Sequence, residues 1–100
     1  MTFNISTKDE GILALVIGRL DTPAAVAAQK ELPPLLEHAD KPITLDCKDM
    51  EYISSSGLRL FLTIRKEAAA KGGKVIIENI NEDIKKVFQM TGFFNLFEIR

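Results

Sequence analysis

The chain has 100 residues, 46% of them hydrophobic and 27% charged, with 13 basic and 14 acidic side chains giving a net charge of −1. That balance excludes a disordered chain, which lacks the apolar residues to bury a core, and the concentrated positive charge of a nucleic-acid binder. The length fits one compact domain over residues 1–100, and a stability of roughly 5–15 kcal/mol leaves room for a single regulatory event to matter.

In chain order, "TFNIST" (2–7) alternates with Phe3 and Ile5 on one side, which predicts a strand. "KDEG" (8–11) is turn chemistry, and "ILALVIGRL" (12–20) is apolar at both parities. Such a run predicts a central strand covered on both faces, paired with the first strand as a hairpin. The apolar run "ILALVIG" is far too short to span a bilayer, so no membrane segment is expected. "MTFNISTKDEG" has no signal-peptide pattern, which predicts a cytoplasmic protein.

"DTPAAVAAQKELPPLLEHAD" (21–40) turns helical, with Asp21 or Thr22 as cap and Pro23 in the first turn. Pro33 and Pro34 predict a break near Leu32, because each ring clashes with the carbonyl four residues back. "KPITLDC" (41–47) predicts a strand that "YIS" extends, with Cys47 as a small buried hydrophobe in step with Ile43 and Leu45.

A helix is expected from about Ser56 to Ala70, with Leu58, Phe61, Leu62, Arg65, Ala68 and Ala69 on one face and Leu60 and Ile64 widening it. Gly72 and Gly73 stop it, and Lys71 complements its dipole. "KVIIENI" (74–80) predicts a strand, Asn81 caps a helix that buries Ile84, Val87 and Phe88, and Gly92 ends it. "FFNLFEIR" (93–100) predicts a last short strand with its aromatic residues packed on the core. Strands alternating with helices after an opening hairpin predict an α/β (α+β) domain with a mixed sheet of four to five strands.

Catalytic and metal-binding patterns are missing. The one histidine, His38, reads as a solvated surface imidazole, and "SSSGL" is not a nucleophile elbow because Ile53 stands at the first glycine position. There is no C-x-x-C, H-E-x-x-H or phosphate-binding glycine loop. The expectation is a non-enzyme without catalytic residues, metal or cofactor.

The stretch "MEYISSSGLRLFLTIRKEAA" (50–69) carries a different signal. One serine suffices as an N-cap, yet Ser54, Ser55 and Ser56 stand in a row before Gly57. A hydroxyl at a helix start lies against unpaired backbone N–H groups, where a phosphate would be tolerated.

"GRLD" (18–21), "LDCKDMEYISSSGLRLFL" (45–62) and "GGKVIIENINEDIKKVFQMTGFFNLFEI" (72–99), in this order and spacing, resemble the STAS-domain anti-sigma factor antagonists over nearly the whole chain. The resemblance implies a small mixed sheet with packed helices. It also implies binding to an anti-sigma factor that is itself a serine kinase of the GHKL ATPase type. That kinase phosphorylates one serine of the antagonist and so blocks binding, and a metal-dependent serine phosphatase reverses the mark.

Carried over by position, the phosphoacceptor falls on Ser55, with Ser54 and Ser56 as alternates. Asp21, Ser54, Ser56, Gly57 and Leu58 fall on the partner-binding surface. Ser54 stands where many such antagonists carry an aspartate, which leaves the register among the three serines open, and the double proline at 33–34 is a second departure. The competing expectation is a STAS-type structural subunit of a transport or signalling assembly, never phosphorylated.

Overall fold

A computed structural model describes residues 2–8, 10–37 and 40–100, the side chains of Thr2 and Lys8 aside. His38 lies outside the described residues. Six strands form one mixed sheet: β1 (Thr2–Lys8), β2 (Gly11–Leu20), β3 (Ile43–Asp46), β4 (Met50–Ile53), β5 (Val75–Glu78) and β6 (Glu98–Ile99). The order is β1-β2-β3-β5-β6, with β4 paired to the far end of β2. β1 and β2 are the expected antiparallel hairpin, with Phe3 opposite Val16 and Ile5 opposite Ala14, and every other pairing is parallel.

The helices are α1 (Thr22–Ala28), α2 (Leu32–Leu36), α3 (Ser55–Ala70) and α4 (Glu82–Thr91). Parallel neighbours need crossovers, and crossovers are right-handed. Because the chain steps in one direction from β2 to β3, β5 and β6, that rule sends the helices to one face. The core agrees: Ile12, Ala14 and Val16 of β2, Leu45 of β3 and Ile77 of β5 join Leu35, Phe61, Ile64, Ile84 and Phe88 of the helices in one buried cluster. Phe88 is fully buried in it, with ring centroids 6.2 Å from Phe61 in an edge-on pair and 6.1 Å from Phe97.

Three expectations need correction. The strand count is six because residues 50–53 do not extend β3. Met50 N–H bonds back to Cys47 O at 3.1 Å, and the chain then runs beside β2 as β4 across a register shift at Gly18/Arg19. Nor is β2 covered on both faces: Leu13, Leu15 and Ile17 are only half-buried and lie outside the core cluster. An apolar run at both parities does not distinguish a strand buried twice from one shaded on its outer face by its own neighbours. Finally, the buried stripe of α3 is Gly57, Leu58, Leu60, Phe61, Ile64 and Ala68, while Leu62 is half-buried and Arg65 and Ala69 are exposed. Gly57 adds nothing to a hydrophobic pattern, so the pattern's centre missed the position packed most closely against β2.

The double proline breaks the helix at the expected place, but by restarting it. After α1 a 3₁₀ turn (Gln29–Glu31) leads into α2, where Pro33 and Pro34 occupy the first turn and their missing N–H groups cost nothing. Lys71 Nζ donates to Leu36 O at 2.7 Å, tying the end of α3 to α2. Asn81 caps α4, accepting from Ile84 N at 2.9 Å, and Gly92 ends it at φ 79°, a left-handed conformation that favours glycine. In the C-terminal segment Phe97 is buried, Phe93 and Phe94 are half-buried, and a 3₁₀ turn (Phe93–Asn95) precedes β6. Among the described residues no helix is long and apolar enough to cross a membrane.

Cys47 is fully buried, and burial first, then the neighbouring Asp46 carboxylate, pushes its thiol up to about 12. The folded state therefore holds this proton where the unfolded chain releases it. The stabilisation is complete below the unfolded thiol pKa of about 8.5 and is lost as pH rises through the folded value. Wild-type stability is expected to fall more steeply than that of Cys47→Ala between about pH 9 and 12, read by urea unfolding of both proteins.

Candidate functional site

Two strands and two helix starts build the site. β2 and β4 end side by side in parallel, with Leu20 opposite Ile53, and a single extended residue links each strand to its helix. Asp21 is that residue before α1 and accepts from Ala24 N at 3.0 Å; Ser54 is that residue before α3 and accepts from Gly57 N at 3.2 Å. The pair lies at the carboxyl edge of parallel strands, where α/β folds collect their binding residues.

The three serines do different work. Ser54 is half-buried and used twice: its Oγ caps α3, and the same hydroxyl donates to Leu20 O at 3.2 Å, alongside the Ser54 N–H at 2.9 Å. Ser56 is half-buried and accepts from the Thr22 hydroxyl at 3.4 Å, linking the starts of α1 and α3. Ser55 is exposed in the first turn of α3 and makes no side-chain hydrogen bond among the described residues. Asp21, Ser54 and Ser56 thus come together around Ser55, whereas Leu58 is only 4% exposed and belongs to the core beneath them.

Gly57 sets how closely the helix approaches. A Cβ there would stand 2.8 Å from Ile53 Cγ1 and Leu20 Cγ, and 2.9 Å from Leu20 O. Only a residue without a side chain lets the first turn of α3 lie on the ends of β2 and β4. Gly57 therefore positions the site from below, without offering surface.

Two features were missed from sequence. Thr22 was weighed only as a cap, but the structure has it donating to Ser56. Arg19 and Tyr52 pair across β2 and β4, with the guanidinium carbon 4.5 Å from the ring centroid and Tyr52 41% exposed. Both join residues more than 30 positions apart in the chain, and only the register of β4 on β2 reveals them.

Ser54→Ala is expected to cost about 1 kcal/mol for the lost cap. The lost bond to Leu20 O adds to that, whereas Ser55→Ala stays within about 0.5 kcal/mol of wild type. Urea unfolding of the two variants checks the division of labour.

Comparison with known proteins agrees with this fold. The sequence profile described as STAS domain matches residues 5–100. The anti-sigma-B factor antagonist of Bacillus subtilis (strain 168) is 31% identical over 102 aligned positions, covering 99% of this chain and 92% of that one. The structure of a candidate anti-sigma factor antagonist of Thermotoga maritima superposes with a TM-score of 0.86 at 23% identity over 97% of this chain and 84% of that one. The Bacillus cell fate determinant SpoIIAA in its phosphorylated form gives 0.73 at 22% identity, covering 99% and 91%. The two structural likenesses carry the fold, and the profile match and the Bacillus relative carry the family: the chain belongs to the STAS domain family.

Proposed function

We propose that this chain is an anti-sigma factor antagonist, acting as one domain over residues 1–100. It binds an anti-sigma factor that is a serine kinase of the GHKL ATPase type, and phosphorylation of Ser55 releases it. The observation that carries this reading is the unequal use of the serines. Ser55 alone of the three is both exposed and without a hydrogen bond among the described residues, at the amino end of a 16-residue helix. A kinase has to reach and turn a hydroxyl, and Ser54 is held by Gly57 N and Leu20 O. Asp21, Ser54 and Ser56 frame the docking surface, with Gly57 and Leu58 supporting it from below.

The Bacillus subtilis relative, itself an anti-sigma-B factor antagonist, supports the first half of the reading, and SpoIIAA in its phosphorylated form supports the second by analogy. A serine phosphatase resets the switch. The domain works in the cytoplasm, where the kinase finds ATP, and needs no catalytic residue, metal or cofactor of its own. The test is to incubate the protein with the anti-sigma factor of its own cell and ATP, then map the phosphate by mass spectrometry. Phosphate on Ser55 is the expected result. Phosphate on Ser54 or Ser56 alone overturns the assignment to Ser55, and no phosphate at all contradicts the reading and favours a STAS-type structural subunit.

A further inference from the structure

Arg59 is the arginine that the fold leaves unused. Arg19 lies on the Tyr52 ring, Arg65 donates to Leu96 O at 2.6 Å and Arg100 pairs with Glu98. Arg59 is exposed on α3, and its guanidinium has no hydrogen bond, ion pair or aromatic ring among the described residues. Three and four residues away along the helix stand Ser55, Ser56, Leu62 and Thr63. None of these is a carboxylate, and the Thr63 hydroxyl donates to Arg59 O at 3.0 Å. α1, which packs on α3, carries no charged side chain. Its cap Asp21 accepts from Ala24 N and makes no ion pair among the described residues.

Helix geometry aims this cation at one place. The Cα–Cβ bonds of an α-helix tilt toward its amino end, so a long side chain covers the turn before its own Cα. For Arg59 that turn holds Ser55, four residues back on the same face, a spacing that sets Cβ atoms about 5–6 Å apart. Ser55 is exposed, and its hydroxyl is in no hydrogen bond among the described residues. An acid followed four residues on by a base is the favourable order for a helix pair. α4 has that order in its sequence, with Glu82 in the first turn and Lys86 four residues later. α3 has no acidic residue in its first turn. It carries the basic half of such a pair, and a hydroxyl where the acid would stand.

We propose that Arg59 is the receptor, within the same helix, for a phosphate on Ser55. The proposal rests on the reading of Ser55 as the phosphoacceptor. A guanidinium fork matches two phosphate oxygens, and phosphoserine brings about −1.5 to −2 charges. Phosphorylation then changes the docking edge in two ways. It adds a dianion, and it withdraws a free guanidinium from the partner. The ion pair also offsets the repulsion between the phosphate and the Asp21 carboxylate at the same edge.

The test uses the full chain with phosphoserine placed at position 55 during synthesis, so no kinase is needed. Phosphorylated and unphosphorylated protein, each with Arg59 or with Arg59→Gln, form a cycle that isolates the coupling. Glutamine is about as good a helix former as arginine, so the two unphosphorylated proteins should melt together. Of the phosphorylated two, the protein with Arg59 is expected to melt at least about 2 °C higher. Its phosphorus resonance should titrate at least about 0.3 pH units lower, because a neighbouring cation favours the dianion. A merely structural role for Arg59 would leave that titration unmoved. Equal phosphorus titrations overturn the proposal whatever the melting shows, as does a coupling that appears only with phosphoserine at position 56. Failure of the Ser55 reading is seen separately, in where the kinase places phosphate on the unmodified chain.

Discussion

Gly57→Val is expected to lower the unfolding free energy by about 3 kcal/mol, the upper end of the cost of overpacking. Two effects compete. Valine is the better helix former by a few tenths of a kcal/mol. Against that, the new Cβ alone would stand 2.9 Å from Leu20 O, a backbone atom that cannot turn aside, and 2.8 Å from two buried side chains. Steric cost exceeds propensity several-fold, so the sign is destabilising. For a domain of this size the melting temperature should drop by more than about 10 °C. The strain falls where α3 leaves β4, so the variant also lifts Ser54 off Leu20 O and loosens the site. Thermal and urea unfolding check the magnitude, and a midpoint equal to wild type would show that α3 does not approach β2 this closely.

Ser55→Asp should weaken binding of the anti-sigma partner by at least about tenfold, and Ser55→Ala should leave it within about threefold, since about 1.4 kcal/mol corresponds to each factor of ten. Phosphoserine carries −1.5 to −2 charges, more than aspartate. Within the domain the helix start offsets added negative charge by about 0.3–1 kcal/mol. A unit charge at 5 Å with an effective dielectric of ~20 is repelled by a carboxylate with about 3 kcal/mol before screening. The fold, with Ser55 exposed, avoids that penalty through solvent; a partner pressed over Ser55 does not. Titration calorimetry of the three proteins against the anti-sigma factor checks the series. Equal affinities for Ser55→Asp and wild type would separate Ser55 from the docking surface.

What sequence revealed depended on how local the physics was. Asp21, Asn81 and Gly92 act within three or four residues, and each cap was legible because the residue carries its own reason for being there. The hairpin was legible from alternation in β1 and the apolar run in β2. The rest depended on cross-chain register. That Met50–Ile53 is a strand follows from the shift at Gly18/Arg19, which no composition encodes. The serine cluster stood out in sequence, but dividing its labour required Leu20 O and Thr22 to be in place, both 34 residues away. The stripe on α3 was misjudged because Gly57 is invisible to a hydrophobic pattern and yet fits most closely. The open side of β2 was misjudged for the opposite reason: Leu13, Leu15 and Ile17 look like core residues, and the domain leaves them as surface.

The most direct measurement is the affinity of the anti-sigma partner for protein stoichiometrically phosphorylated at Ser55, taken on a sample whose amide spectrum shows whether α3 and the sheet are intact. The expected result is a native spectrum, with changes limited to the starts of α1 and α3, together with a loss of affinity of about a hundredfold or more. Unchanged affinity in the phosphorylated protein, or a loss that arises only because the domain has unfolded, would contradict it.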